Sequence, residues 1–183
     1  FGLTAEPIQR QSVEGQADTV VADPVVTFGP NANSATVAAG PLAVIKRILT
    51  AAGESSCTIT STARTPADQA RAMYDNIVAH GVEHQKALYG RYGDMIIDAY
   101  VTSQAAGNDA TQIKADMEAK IIEVGPSNVS KHCADSSVLC VVDIAPSSIT
   151  NDTKFREAVV AETAVSNHIF PPTDPAYHLE IPV

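Results

Sequence analysis

The sequence predicts an α+β fold, a small and mainly antiparallel sheet with helices packed on it. Two observations carry this. Three short runs, residues 57–61, 138–144 and 176–181, are rich in β-branched and other apolar residues or alternate apolar with polar side chains, as strands do. Between them lie longer segments whose apolar residues recur three and four apart, the period of a helix, and which stop at glycines such as Gly53, Gly81 and Gly125. At 183 residues the chain suits one domain able to bury a sizeable core, here residues 41–183, preceded by an N-terminal arm of residues 1–40.

The arm mixes turn formers, Asp23-Pro24 and Gly29-Pro30-Asn31, with one apolar run at Val25-Val26, a pattern of short extended pieces that can add to a sheet edge. Pro41 suits a first helical position, Leu42, Val44, Ile45, Ile48 and Leu49 form one face, and Gly53 supplies a left-handed stop, which gives a helix over residues 41–52. Residues 57–61 form the first strand of the domain. Thr65, Pro66 and Asp68 then open a helix with a capping box, and Ala67, Ala70, Met73, Tyr74, Ile77 and Val78 line its apolar face up to Gly81.

Residues 82–125 look like a helical insertion, with apolar segments at 95–101 and 113–122 broken at Gly107-Asn108-Asp109. Tyr89-Gly90-Arg91-Tyr92-Gly93 between helices reads as a turn whose aromatic rings either border a groove or pack over the loop. His80 and His84 are four apart, but Gly81 between them ends the helix, so both read as solvent residues. Residues 125–128 are a loop into the strand at 138–144. Ala145-Pro146 then turns the chain into a helix over 152–166, with Phe155, Val159, Val160 and Val165 inward. Phe170 to Pro175 is a stiff extended connector, since each proline restricts the residue before it as well as itself, and it leads to the last strand.

Composition excludes several functions. A formal charge of −9 with no compensating Lys/Arg cluster repels phosphate backbones, so no nucleic-acid partner is expected. No apolar run approaches the roughly 20 residues that cross a bilayer, so no membrane insertion is expected. Hydrophobic residues at 45% against 18% charged describe a globular chain rather than a disordered one. No basic segment leading into an apolar core follows Phe1, and there is no repeat and no Gly-rich phosphate loop.

The chemistry concentrates at Ser130-Lys131-His132 and Val141-Val142-Asp143-Ile144. A carboxylate near the end of a buried strand is costly unless it is paired or coordinates a metal, because desolvating an ion costs several kcal/mol. Zinc takes imidazole nitrogen and carboxylate oxygen and, in catalytic sites, uses three protein ligands. The third is offered by the last strand, where His178 shares a face with Ala176 and Glu180. His132, Asp143 and His178 are therefore the candidate metal ligands and Zn2+ the candidate cofactor. The same residues also read more plainly, His132 as a hydrogen-bonded loop residue and Asp143 as a cap on the turn at Ala145-Pro146.

Those segments, together with Ser61-Thr62-Ala63-Arg64-Thr65 followed by Gln69, and Tyr177-His178-Leu179-Glu180, come in the order found in the LAS zinc peptidases. The chain resembles their branch of D-Ala-D-Ala carboxypeptidases and L-alanyl-D-glutamate endopeptidases of bacterial walls and phage endolysins, over residues 57–181 or so. The resemblance implies the D-Ala-D-Ala metallopeptidase/hedgehog-like fold, a peptidoglycan stem peptide as partner, an extracellular, periplasmic or virion-associated setting, and Arg64 over the metal as oxyanion stabiliser. Two departures stand out. His132 and Asp143 are eleven apart, four more than in the family's Ser-x-His-x-x-Gly-x-Ala-x-Asp, whose Gly and Ala become Leu139 and Val141. The family's general base, three residues before the last His, falls on Pro175, which leaves Asp174 and Glu180 as the candidate bases. A metal-binding but non-catalytic wall-binding or virion module of the same fold is the alternative this favours, and a fold-alike that binds no metal is a third reading.

Of Cys57, Cys133 and Cys140, the last two flank the lengthened loop between ligands. A disulfide between them would pin that loop, with a stabilisation on the order of 2 kcal/mol; the other reading is buried, inert thiols.

Overall fold

A computed structural model of the chain describes residues 22–183. The arm expected over 1–40 thus falls partly, up to residue 21, outside the described residues, and the remainder joins the sheet. Strand β1 (Val25–Phe28) lies parallel to β2 (Ser56–Ser61), and Asn33 caps a short 3-10 turn, Ser34–Thr36. Between them runs α1 (Ala39–Ala52), which Gly53 closes in the left-handed conformation at φ 74°. The remaining strands are β3 (Leu139–Ile144), β4 (Asn167–Ile169) and β5 (Tyr177–Pro182), and the sheet order is β1-β2-β3-β5-β4. All pairings after β1 with β2 are antiparallel. The fold is α+β with a mainly antiparallel sheet.

Strand alternation divides this sheet into two chemically different faces. Cys57 and Ile59 of β2, Cys140, Val142 and Ile144 of β3, and Tyr177, Leu179 and Ile181 of β5 share the apolar face. Helices α1 and α7 (Asp152–Ala161) cover it with Ile45, Ile48, Leu49, Phe155 and Val159. Fully burying each of these large aliphatic or aromatic side chains contributes about 1.5–3 kcal/mol. The alternate residues Val141, Asp143, His178 and Glu180 face the other way. Register puts Asp143 directly opposite His178 and Val141 opposite Glu180.

A second apolar core belongs to helices alone. In α2 (Pro66–His80), α4 (Arg91–Ala105) and α5 (Ala110–Val124), Met73, Ile77, Ile96, Ile97, Met117 and Ile121 pack together. Residues 82–125, read above as an insertion, are helical, and α2 packs with them in one bundle because its apolar stripe meets α5 and α4. Helix α3 (Val82–Leu88) follows Gly81, whose φ of 87° breaks α2 as expected, and α6 (Pro126–Val129) is a single helical turn where the sequence suggests a loop.

Two boundaries differ from expectation for local reasons. The turn at residues 89–93 is shorter than read, because α4 begins at Arg91. Gly93 inside it lies against Tyr89, and a Cβ there would come within 2.5 Å of that side chain. Helix α7 ends at Ala161 rather than 166: Glu162 leaves the helix, its side chain accepts from Ala164 N and pairs with Arg47 on α1, and β4 follows. Val165 still reaches the sheet core, from the turn.

The expected Cys133–Cys140 disulfide is absent, and Cys57, Cys133 and Cys140 are all free thiols. Strand alternation is the reason. Cys140 points into the α1/α7 core, as Cys57 does from β2, while Cys133 sits in the turn carrying His132, near Arg64 on the opposite side. Burial pushes the thiols of Cys133 and Cys140 up to about 11 and that of Cys57 up to about 12, so none is a thiolate at neutral pH.

Candidate metal centre

The site is built where the end of β2, the 3-10 turn Lys131–Cys133, β3 and β5 meet. Ser130 caps the turn, its Oγ accepting from His132 N at 3.3 Å. Two further bonds lock that turn to the segment after β2: Arg64 N donates to His132 O at 2.7 Å, and His132 Nδ1 lies 2.8 Å from Thr62 O. Thr62 is itself fixed, since its Oγ1 accepts from Asn33 N at 2.8 Å. The β1 loop therefore steadies the first ligand through one intermediary.

The bond to Thr62 settles which nitrogen of His132 carries hydrogen. A carbonyl only accepts, so Nδ1 donates, and in the neutral ring Nε2 presents its lone pair. That lone pair lies 3.0 Å from Asp143 Oδ2. His178 Nδ1 lies 2.9 Å from the other oxygen, Oδ1. Two imidazoles thus converge on one carboxylate, with ring centroids 5.1 Å apart and planes at 74°. His132 is 5% exposed and His178 6%. A lone pair facing a carboxylate oxygen at this distance is repulsive unless a cation, a proton or a metal ion, lies between them.

The electrostatics agree. Burial alone would raise the Asp143 carboxyl, but hydrogen bonds from His132, whose Nε2 then carries the intervening proton, and from His178 outweigh it and hold the group well below the usual carboxylate range. Burial would lower His178, yet its bond to Asp143 raises it, with Asp174 and Glu180 adding to the effect. One ligand atom from each of His132, Asp143 and His178 falls within 4.8 Å of the others. The three can hold a metal ion. They are the expected triad, brought together from positions spread over residues 132–178, and the lengthened loop between His132 and Asp143 does not separate them.

Arg64, the expected oxyanion residue, stands beside the triad, its Nη2 4.0 Å from Asp143 Oδ2. Its guanidinium is oriented by Ser61 Oγ at 2.7 Å and Gln69 Oε1 at 3.1 Å. Thr65 caps α2 with Oγ1 accepting from Asp68 N, so the turn that carries Arg64 is anchored at both ends.

The two candidate bases are placed differently. Asp174 is half-buried on the wall of a cleft of about 540 Å³ whose floor holds His132, Asp143 and His178; its Oδ1 accepts from Ala176 N at 2.9 Å. Glu180 is 7% exposed and lies on the far side of His178 from Asp143, with Oε1 3.6 Å from Nε2, and it accepts from Asn167 Nδ2 at 2.8 Å. It lies beside the imidazole and is not part of the cleft lining.

Other residues complete the cleft. His80 and His84 are exposed as expected, but their rings lie 5.5 Å apart on the rim of this same cleft. Gln69 and Gln85 are buried in its wall, and Tyr89 stands between α3 and α4 there. Tyr89 borders a groove, one of the two readings of its turn, and Gln69 belongs to the segment quoted for the family; Gln85 alone of these was not readable, since a glutamine on a helix gives no sign of what it faces. A second cavity of about 860 Å³ adjoins the cleft across Arg64 and Asn76. Comparison with protein-family models, curated proteins and solved structures finds no match to this chain.

Proposed function

We propose that this protein is a zinc-dependent hydrolase of peptidoglycan stem peptides, of the D-Ala-D-Ala carboxypeptidase or L-alanyl-D-glutamate endopeptidase type. The observation that supports it most is the convergence of two imidazoles on Asp143 at the floor of a cleft, with Arg64 beside them. Two nitrogen donors and one carboxylate oxygen suit zinc, and three protein ligands leave a coordination position open, as catalytic sites require. When bound, zinc supplies a Lewis acid and makes water nucleophilic near neutral pH.

The chain's own groups have definite parts in this reading. His132, fixed by Thr62, and His178, with Glu180 3.6 Å from its Nε2, hold their ring nitrogens toward the site. Arg64 donates to the carbonyl oxygen as it gains charge, a role suited to a permanently charged, forked donor already oriented by Ser61 and Gln69. Asp174 takes the proton from the attacking water as oxygen adds to the carbonyl carbon, and returns it to the amine nitrogen when the C–N bond breaks. The setting that fits such a substrate is extracellular, periplasmic or virion-associated; the three free thiols lend that setting no support.

Pro175 at the usual base position favours a second reading, a metal-binding module that does not cleave. Incubating zinc-loaded protein with a synthetic stem pentapeptide and resolving products by mass separates the two. Cleavage at either bond upholds the hydrolase; stoichiometric zinc with no product upholds the module.

A further inference from the structure

Among the described residues, two buried side-chain atoms lack any hydrogen-bond partner, Gln85 Oε1 and Asp94 Oδ1. Of these two residues only Gln85 belongs to the wall of the cleft that holds the triad. It is 2% exposed, on α3, in the helical bundle rather than in the sheet that carries the ligands. An unmet buried acceptor is unfavourable, and nearly all such groups in folded proteins are paired. Its neighbour in the wall, Gln69, shows the contrast: equally buried, it spends its Oε1 on Arg64. Arg64 and Gln69 thus satisfy each other within the protein, whereas Gln85 Oε1 has no donor there, and its side chain must turn toward the cleft to meet one.

We propose that Gln85 is a specificity-determining residue whose side-chain oxygen accepts a hydrogen bond from a backbone N–H of a peptide lying in the cleft. The proposal rests on the reading that the cleft binds peptides. The donor class follows from the chemistry of the acceptor: a carbonyl oxygen selects an N–H or O–H and rejects a carboxylate or an ester oxygen. A backbone amide is the group that an extended peptide presents repeatedly. It also follows that the helical bundle contributes to recognition while the sheet contributes the metal ligands, so that the cleft between them needs both.

The test combines a protein change with a ligand change. Calorimetric titration of the full chain, with and without zinc, would use a synthetic stem pentapeptide and a series of analogues, each with one backbone amide replaced by an ester. One analogue should bind wild-type protein about 3- to 10-fold more weakly, the worth of one hydrogen bond. Against Gln85→Met, which keeps the bulk and removes the acceptor, the peptide should lose a similar factor and that analogue should lose nothing further. The variant should melt no lower than the parent, since no internal bond is broken; the ester series on wild-type protein decides the question even if it does. Tight binding by wild type with no ester-sensitive position, or with unchanged binding by Gln85→Met, overturns the role of Gln85 and leaves the peptide reading intact. Absence of both binding and cleavage by wild type overturns the peptide reading and this proposal with it.

Discussion

At the scale of single residues, the tautomer of His132 governs what the site can do. Thr62 O holds a proton on Nδ1, and Nε2 is therefore the nitrogen turned to Asp143, where it meets the carboxylate through a proton or a metal ion. Glu180 lies 3.6 Å from His178 Nε2, a looser approach, which leads to a prediction that separates the two acidic candidates. Asp174→Ala should keep its zinc and lose turnover by about 10²-fold or more, as expected for a general base. Glu180→Ala should instead weaken zinc affinity by about 10-fold or more, as removal of an orienting partner does. Metal content and turnover measured on the same preparations check both; loss of metal in Asp174→Ala, or full metal with lost turnover in Glu180→Ala, would reverse the roles. The imidazoles and Asp143 were legible in the sequence because a carboxylate in an apolar strand calls for a cation. Thr62, Ser61 and Gln85 were not, since a carbonyl, a hydroxyl and an amide acquire their roles only from what the fold sets against them.

At the scale of elements, two joints hold the frame of the site. Glu54, 5% exposed just after α1, accepts from Thr150 N, Thr150 Oγ1 and Asn151 N, so that it ties the end of α1 to the start of α7. Burial would raise its carboxyl, but the bonds from Asn151 and Thr150 lower it overall. A carboxyl lowered in the folded state contributes stability that is present above the unfolded value, about 4.3 for glutamate, and is lost as pH falls through the folded value. Glu54→Gln should therefore cost about 1–2 kcal/mol at pH 7, and the gap in melting temperature from wild type should shrink as pH drops below about 4. Melting curves across pH check this, and a gap that widens toward acid would contradict it. The second joint is the cap of α2: Thr65→Ala should cost about 1 kcal/mol by chemical denaturation and, by loosening Arg64, reduce turnover more than zinc binding. Helix α2 and its cap were readable from Thr65, Pro66 and Asp68. The short β4 was not, because three residues, two of them polar, offer no periodicity, and their strand state comes from pairing with β5.

At the scale of the whole molecule, two apolar cores, one under the sheet and one within the helical bundle, enclose a polar cleft between the sheet's second face and α3. The triad draws its ligands from a turn and two adjacent strands, so a bound metal acts as a clasp on the folded state. Zinc should accordingly raise stability by RT ln(1 + [L]/Kd), about 2.7 kcal/mol at a hundredfold excess over Kd, and a chelator should reverse it. The mainly antiparallel sheet was foreseeable from three short runs of residues; the parallel β1 was foreshadowed only as an edge contribution from Val25-Val26. What remained hidden was the packing of the bundle, since α2 reads the same whether its apolar stripe meets a sheet or another helix. The central claim, that His132, Asp143 and His178 form one metal centre, is tested most directly by elemental analysis of protein purified without chelator, beside His132→Ala and His178→Ala. About one zinc per wild-type chain, with most of it lost in each variant, is the predicted result. A wild-type chain without a stoichiometric transition metal, or variants that keep theirs, would contradict it.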